Sequence, residues 1–79
     1  MKTNELKKES RIILDDGTFG TVKDNKKGIR RFCHIEGPYP ELGTIYAHTI
    51  AYAVLDGEPI AIEHTPAQLK LKQTLKNLF

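Results

Sequence analysis

Lys23, Lys26, Lys27, Arg30 and Arg31 fall within nine residues, offset by a single acid, Asp24. Cations this dense on a turn can contact the phosphates of a nucleic acid, each neutralised contact releasing a counterion. Phe32, His34 and Tyr39 follow within eight residues of Arg31, and flat rings of this kind are the surfaces on which bases stack. The same cluster has two blander readings: a solvated turn that keeps a strand edge from aggregating, or a docking point for an acidic protein.

The other chemistry-bearing residues form no site. Cys33-His34, His48 and His64 are separated by fourteen and sixteen residues, matching no ligand motif, and a metal needs three or four ligands converging at about 2.0–2.3 Å. Adjacent residues of a strand point to opposite faces, so Cys33 and His34 make a poor nucleophile–base pair. Asp15-Asp16 precedes Gly17, which is turn chemistry before it is acid–base chemistry. No GxGxxG, P-loop, GxSxG, HExxH or CxxC pattern occurs. The sequence thus assigns no catalytic residue, no metal and no cofactor, and points to a non-enzymatic protein.

Thr65-Pro66-Ala67-Gln68 has the form of a helix start, with Thr65 as N-cap, Pro66 at the first helical position and Gln68 completing a capping box. Leu71, Leu75, Leu78 and Phe79 then recur at helical spacing. That stripe docks either on the chain's own body or on a partner, a host protein or a second copy, and it is the alternative candidate site.

The elements that must position the basic cluster are β-strands. Arg11 to Leu14, Thr18 to Lys23 and Ile29 to Glu36 are expected as the first three, separated by turns at Asp15-Asp16-Gly17 and at residues 24–28. Gly20, inside the second, signals a bulge or a close backbone approach. Residues 37–43, with two prolines, read as a loop. An apolar run from Thr44 to Leu55 reads as one strand, yet twelve residues would span about 40 Å, so a bend is expected near His48–Thr49, as when one strand serves both sheets of a small barrel. Asp56-Gly57 is a strong hairpin signal, and Glu58 to Glu63 returns, with Pro59 marking an edge. The fold class expected is therefore mainly β: a five-stranded antiparallel SH3-like or OB-like barrel over residues 11–64, with a helix over 65–79. Residues 1–10 are a polar arm, or a short helical turn with Leu6 pinned to the core.

Seventy-nine residues make one domain with a thin core and a stability of a few kcal/mol. The net charge of +2 is too small to imply a nucleic-acid partner, so only its clustering carries weight. A single cysteine fits a reducing cytoplasm, the first ten residues lack the apolar segment of a signal peptide, and no apolar run suits a membrane span.

Phe19-Gly20-Thr21-Val22, Gly28 and Phe32-Cys33-His34-Ile35 resemble the strand pair of cold-shock and related OB-fold RNA-binding domains, whose aromatics stack bases; the resemblance implies a small barrel and covers about 17 residues. Leu6-Lys7-Lys8 with Arg11-Ile12, Asp24-Asn25-Lys26, Gly43-Thr44-Ile45-Tyr46-Ala47-His48 and Glu63-His64-Thr65-Pro66-Ala67-Gln68-Leu69-Lys70 resemble a group of small phage and prophage proteins. That group carries no assigned activity, so the resemblance implies a phage or prophage origin and a role in the host cytoplasm, but no site. In the group a polar residue, often Asp, tends to follow the Tyr-Ala-His; this chain has Thr49 there. The expectation is a small binding module that contacts nucleic acid through Lys23, Lys26, Lys27, Arg30, Arg31, Phe32, His34 and Tyr39, or else a protein-interaction or anti-defence factor.

Overall fold

The computed structural model describes residues 1–25 and 28–78. Turn chemistry sets the strand ends. Asp56 and Gly57 both adopt positive φ, 51° and 79°, which is the type I′ geometry that joins two strands with the right twist. Gly17, at φ 89°, closes the first hairpin, and Asp16 Oδ1 accepts a hydrogen bond from the Thr18 N–H there. Among the described residues these turns connect six strands: β1 (Arg11–Leu14), β2 (Phe19–Val22), β3 (Arg30–Glu36), β4 (Glu41–Tyr46), β5 (Ile50–Leu55) and β6 (Glu58–Ala61). All pair antiparallel in one sheet of order β4-β3-β2-β1-β5-β6, and a single helix, α1 (Pro66–Leu78), follows.

The apolar run expected as one bent strand is two. Ala47–Thr49 forms a 3-10 turn that separates β4 from β5, which raises the strand count from the expected five to six. The turn also carries the chain from one side of the β3-β2-β1 block to the other. A flat sheet would hold β4 and β5 about 19 Å apart, four strand spacings, whereas the step from Tyr46 to Ile50 reaches at most about 14 Å. The sheet must therefore curl. It does not close into the expected barrel: β4 and β6 are its two edges and do not pair with each other. Pro59 leaves β6 short of a donor on its outer edge, and the N-terminal segment is tied to α1 by the hydrogen bond from Gln68 to Thr3.

The inner face of the curl holds the core of Leu6, Ile12, Val22, Cys33, Ile50 and Ala53, with Met1, Leu14, Ile35, Ile45 and Ile62 at its margin. Gly20 lies on this face for steric reasons: a Cβ there would meet the His34 carbonyl oxygen at 3.0 Å and the Ile35 side chain at 3.3 Å. The capping box forms as expected, the Gln68 N–H donating to Thr65 Oγ1 at 3.3 Å and the Thr65 N–H to Gln68 Oε1 at 3.0 Å.

The largest fully buried side chain is a cation. Arg31 is 1% exposed, and its guanidinium donates from Nε to Asp24 Oδ1 (2.8 Å), from Nη1 to the Thr3 carbonyl (2.6 Å) and from Nη2 to the carbonyls of Leu6 (2.8 Å) and Asp24 (3.1 Å). Gln68, also buried, donates to Thr3 Oγ1 (2.7 Å) and to the Gly28 carbonyl (2.8 Å). The first residues of the chain are thereby ordered as a 3-10 turn, Thr3–Glu5, with Leu6 in the core.

Breaking a buried pair by removing one partner costs about 3–5 kcal/mol, comparable to the whole stability of so short a chain. Arg31→Ala is expected to be unfolded by circular dichroism. Arg31→Lys keeps the charge but cannot reach four acceptors from one ammonium, and urea unfolding is expected to show a loss of about 2–3 kcal/mol.

Candidate functional site

Alternation along β3 sends Arg31, Cys33 and Ile35 inward and Arg30, Phe32, His34 and Glu36 outward. The antiparallel registers then assemble the outer face row by row. Arg30 stands beside Tyr46, and Phe32 beside Thr44; His34 lies between Leu42 and Thr21, with Arg11 beyond Thr21; Glu36, Phe19, Ile13 and Tyr52 form the last row. The Lys23 N–H donates to the Phe32 carbonyl at 2.8 Å, which sets Lys23 next to Phe32. Three rings of this face remain open to solvent: Phe32 at 40%, Tyr52 at 43% and Phe19 at 44%. The helix packs elsewhere, against the 3-10 turn of Ala47–Thr49.

The cations on this face differ in how they are held. Arg11 makes a two-pronged ion pair with Glu36, Nη2 to Oε2 at 2.9 Å, and its guanidinium carbon lies 5.3 Å from the centre of the Phe19 ring. This pair holds the Glu36 carboxyl below the usual carboxylate range and raises Arg11 above its own. Lys23 lies 3.1 Å from Glu9. Arg30 makes no ion pair among the described residues, and its guanidinium sits 5.9 Å from the centre of the Tyr46 ring. A shallow cleft of about 400 Å³, lined by Asp24, Arg30, Phe32 and Thr44, opens beside it.

The expected site is thus divided by the fold. Arg30, Phe32, His34 and Lys23 come together on the outer face. Arg31 does not: it is buried against Asp24 and the N-terminal carbonyls, and cannot meet a ligand. Tyr39 is almost fully exposed in the loop of residues 37–40, at the far end of β3 from Arg30, a separation of about 20 Å for seven strand residues. Lys26 and Lys27 lie outside the described residues, as does Phe79. On α1, Leu71 and Leu75 are half-buried and Leu78 is exposed. Phe19, Arg11 and Tyr52 are members of the outer face that composition alone did not single out; the signal for them was the shared parity of Arg11, Ile13, Phe19 and Thr21 across a hairpin whose turn was legible.

The remaining chemistry-bearing groups are dispersed. Cys33 is buried, and desolvation, helped by the nearby Asp24, pushes its thiol up to about 11, so it is not a thiolate at neutral pH. His48 is buried in the turn between β4 and β5, its ring stacked on Tyr46 with centroids 5.5 Å apart, and among the described residues its Nδ1 has no hydrogen-bond partner. Burial lowers its pKa from the ordinary 6.5, the charges of Lys72 and His64 lower it further, and Asp15 opposes them.

No family model, no curated protein and no solved structure matches this chain.

Because the pKa of His48 is lower in the fold than in the unfolded chain, the unfolded chain binds more protons on acidification. The stability it contributes is present in full above pH 6.5 and is lost as pH falls from 6.5 through the lower folded value. Thermal midpoints are expected to drop below pH 6.5, and His48→Gln to flatten that part of the profile; an unchanged slope in the variant would assign the acid response to other groups.

Proposed function

We propose that this chain is a non-enzymatic binding module that takes single-stranded nucleic acid on the outer face of its sheet. The observation that carries the reading is the layer itself: Phe32, Phe19 and Tyr52 exposed at 40–44% on one face, with Arg30, Lys23 and Arg11 interleaved and the helix packed against the 3-10 turn instead. Monomeric proteins seldom leave an aromatic face of this kind uncovered unless something binds there. Bases offer a flat apolar surface and a phosphate at each step, and stacking rings beside cations match both, whereas the paired bases of a duplex have no faces to give. Arg30, with its guanidinium beside Tyr46 and the cleft to Phe32, is the best-placed phosphate contact, and Phe32 the best-placed stacking ring.

Three further readings accompany this one. The curled sheet is an opened SH3-like rather than OB-like barrel, supported by the one-turn 3-10 step that returns β5 to β1. The sequence resemblance supports a phage or prophage origin. A protein-interaction role, of a host-takeover or anti-defence kind, is the second functional reading, favoured by the exposure of Leu69 and Leu78 on α1.

Fluorescence anisotropy with random single-stranded DNA, RNA and duplex DNA at two salt concentrations tests the proposal. Binding to single strands that weakens steeply with salt is expected. Phe32→Ala is expected to lower affinity about ten- to a hundred-fold, the worth of one stacked base, and Arg30→Ala to reduce the salt dependence by about one phosphate contact. Absence of binding at low salt would sink the reading and leave the protein-interaction role.

A further inference from the structure

The two edges of the sheet are built differently. In the β5–β6 pair the Ile62 N–H donates to the Ala51 carbonyl, so the closely bonded pairs include Ala53–Ile60 and Leu55–Glu58, and Pro59 and Ala61 turn their backbone groups outward. The outward residue at the middle of that edge is a proline, with no N–H to offer. The β6 edge is blocked.

The β4 edge is not. The Ala47 N–H donates to the Ile29 carbonyl, which by alternation makes Arg31–Ile45, Cys33–Gly43 and Ile35–Glu41 the bonded pairs with β3. The N–H and C=O groups of Leu42 and Thr44 and the N–H of Tyr46 therefore face away from the sheet, and among the described residues they have no backbone partner; the Tyr46 carbonyl accepts the Thr49 hydroxyl at 2.7 Å. The strand carries none of the usual protections: no proline, no lysine, no bulge, and one charge, Glu41, at its start. An open cleft of about 340 Å³ runs along it, lined by Arg30, Thr44, Ile45 and Tyr46. Leu42 is 59% exposed.

We infer that the β4 edge pairs with the β4 edge of a second copy, antiparallel about a two-fold axis at Thr44, to make one continuous sheet. The occupant follows from self-complementarity. With Thr44 opposite Thr44 of the other copy, Leu42 meets the other copy's Tyr46; the two Thr44 residues exchange both backbone hydrogen bonds, and each Tyr46 N–H donates to the Leu42 carbonyl of the other copy. On the outer face this gives one Thr–Thr and two Leu–Tyr cross-strand pairs, which are favourable combinations. On the inner face the register sets Ile45 opposite Gly43 of the other copy. A Cβ at Gly43 would meet nothing within 4 Å, so the position is a vacant notch of the size Ile45 needs. Glu41 falls opposite Ala47 of the other copy, and no like charges meet. A head-to-tail pairing of β4 with β6 is excluded by Pro59, which leaves the isologous, closed arrangement. The inference does not rest on nucleic-acid binding, although the axis would join two outer faces near Arg30 and Phe32.

Sedimentation equilibrium on the full chain, from micromolar to millimolar concentration and without nucleic acid, tests it. The wild type is expected to reach twice the chain mass of 8.9 kDa. Thr44→Lys sets two lysines opposite each other at the axis and is expected to abolish the dimer. Gly43→Val fills the notch while leaving the monomer unhindered, and is expected to weaken the dimer with unchanged circular dichroism. A wild type that stays at 8.9 kDa throughout overturns the inference, and so does a dimer that survives Thr44→Lys, which would place the interface on another surface.

Discussion

A guanidinium without water must find acceptors within the protein, and in this chain that requirement falls on Arg31. Its donors are met by the side chain and carbonyl of Asp24 and by the carbonyls of Thr3 and Leu6. Desolvating a charge is costly, and the arrangement persists because every contact is short and directional. The geometry it imposes is wide-reaching. It ties the N-terminal segment to β3, fixes the approach to that strand, and brings Leu6 into the core. Asp24 is doubly used, since its second oxygen accepts the Phe32 N–H at 2.8 Å and so aligns the first residues of β3.

The same alternation that buries Arg31 presents its neighbours. Two consecutive arginines at the start of a strand cannot share a face, so one becomes structure and the other surface. β3 is thus the joint between core and exposed outer face: Arg31 and Cys33 on one side, Arg30, Phe32 and His34 on the other. The rigidity of the inner side is what holds the outer rings in a fixed row, and binding faces built on strands are held more closely than those built on loops. Tyr39, carried by a loop, shares none of this support.

Local signals were readable wherever a residue's own backbone preference decided the outcome. Asp56-Gly57, the Thr65–Gln68 capping box, the limits of β1 and the tight space around Gly20 all follow from side-chain chemistry within a few residues. What was not readable depended on distant partners. Nothing in the residue type distinguishes Arg31 from Arg30; burial is decided by carbonyls of Thr3 and Leu6, more than twenty residues away. The apolar run was expected to bend near His48–Thr49, but the three-residue 3-10 turn there ends one strand and begins another, a break that the residue types along the run do not mark. In the structure His48 is buried, while Tyr46 and Tyr52 lie on the outer face through different registers. Openness of the sheet was equally hidden, since closure depends on whether two edges meet and not on any strand's own composition.

The capping glutamine has a consequence in time. Gln68 caps its own helix with Oε1 and holds Thr3 with Nε2, a hydrogen bond that joins residues 65 positions apart. During synthesis Thr3 is made long before Gln68, so the Thr3 hydroxyl must wait for the helix to supply its partner. Long-range closures of this kind come late and slowly. The six strands, all encoded before α1, can therefore pair first, and the N-terminal segment receives its last tie only when α1 folds onto it.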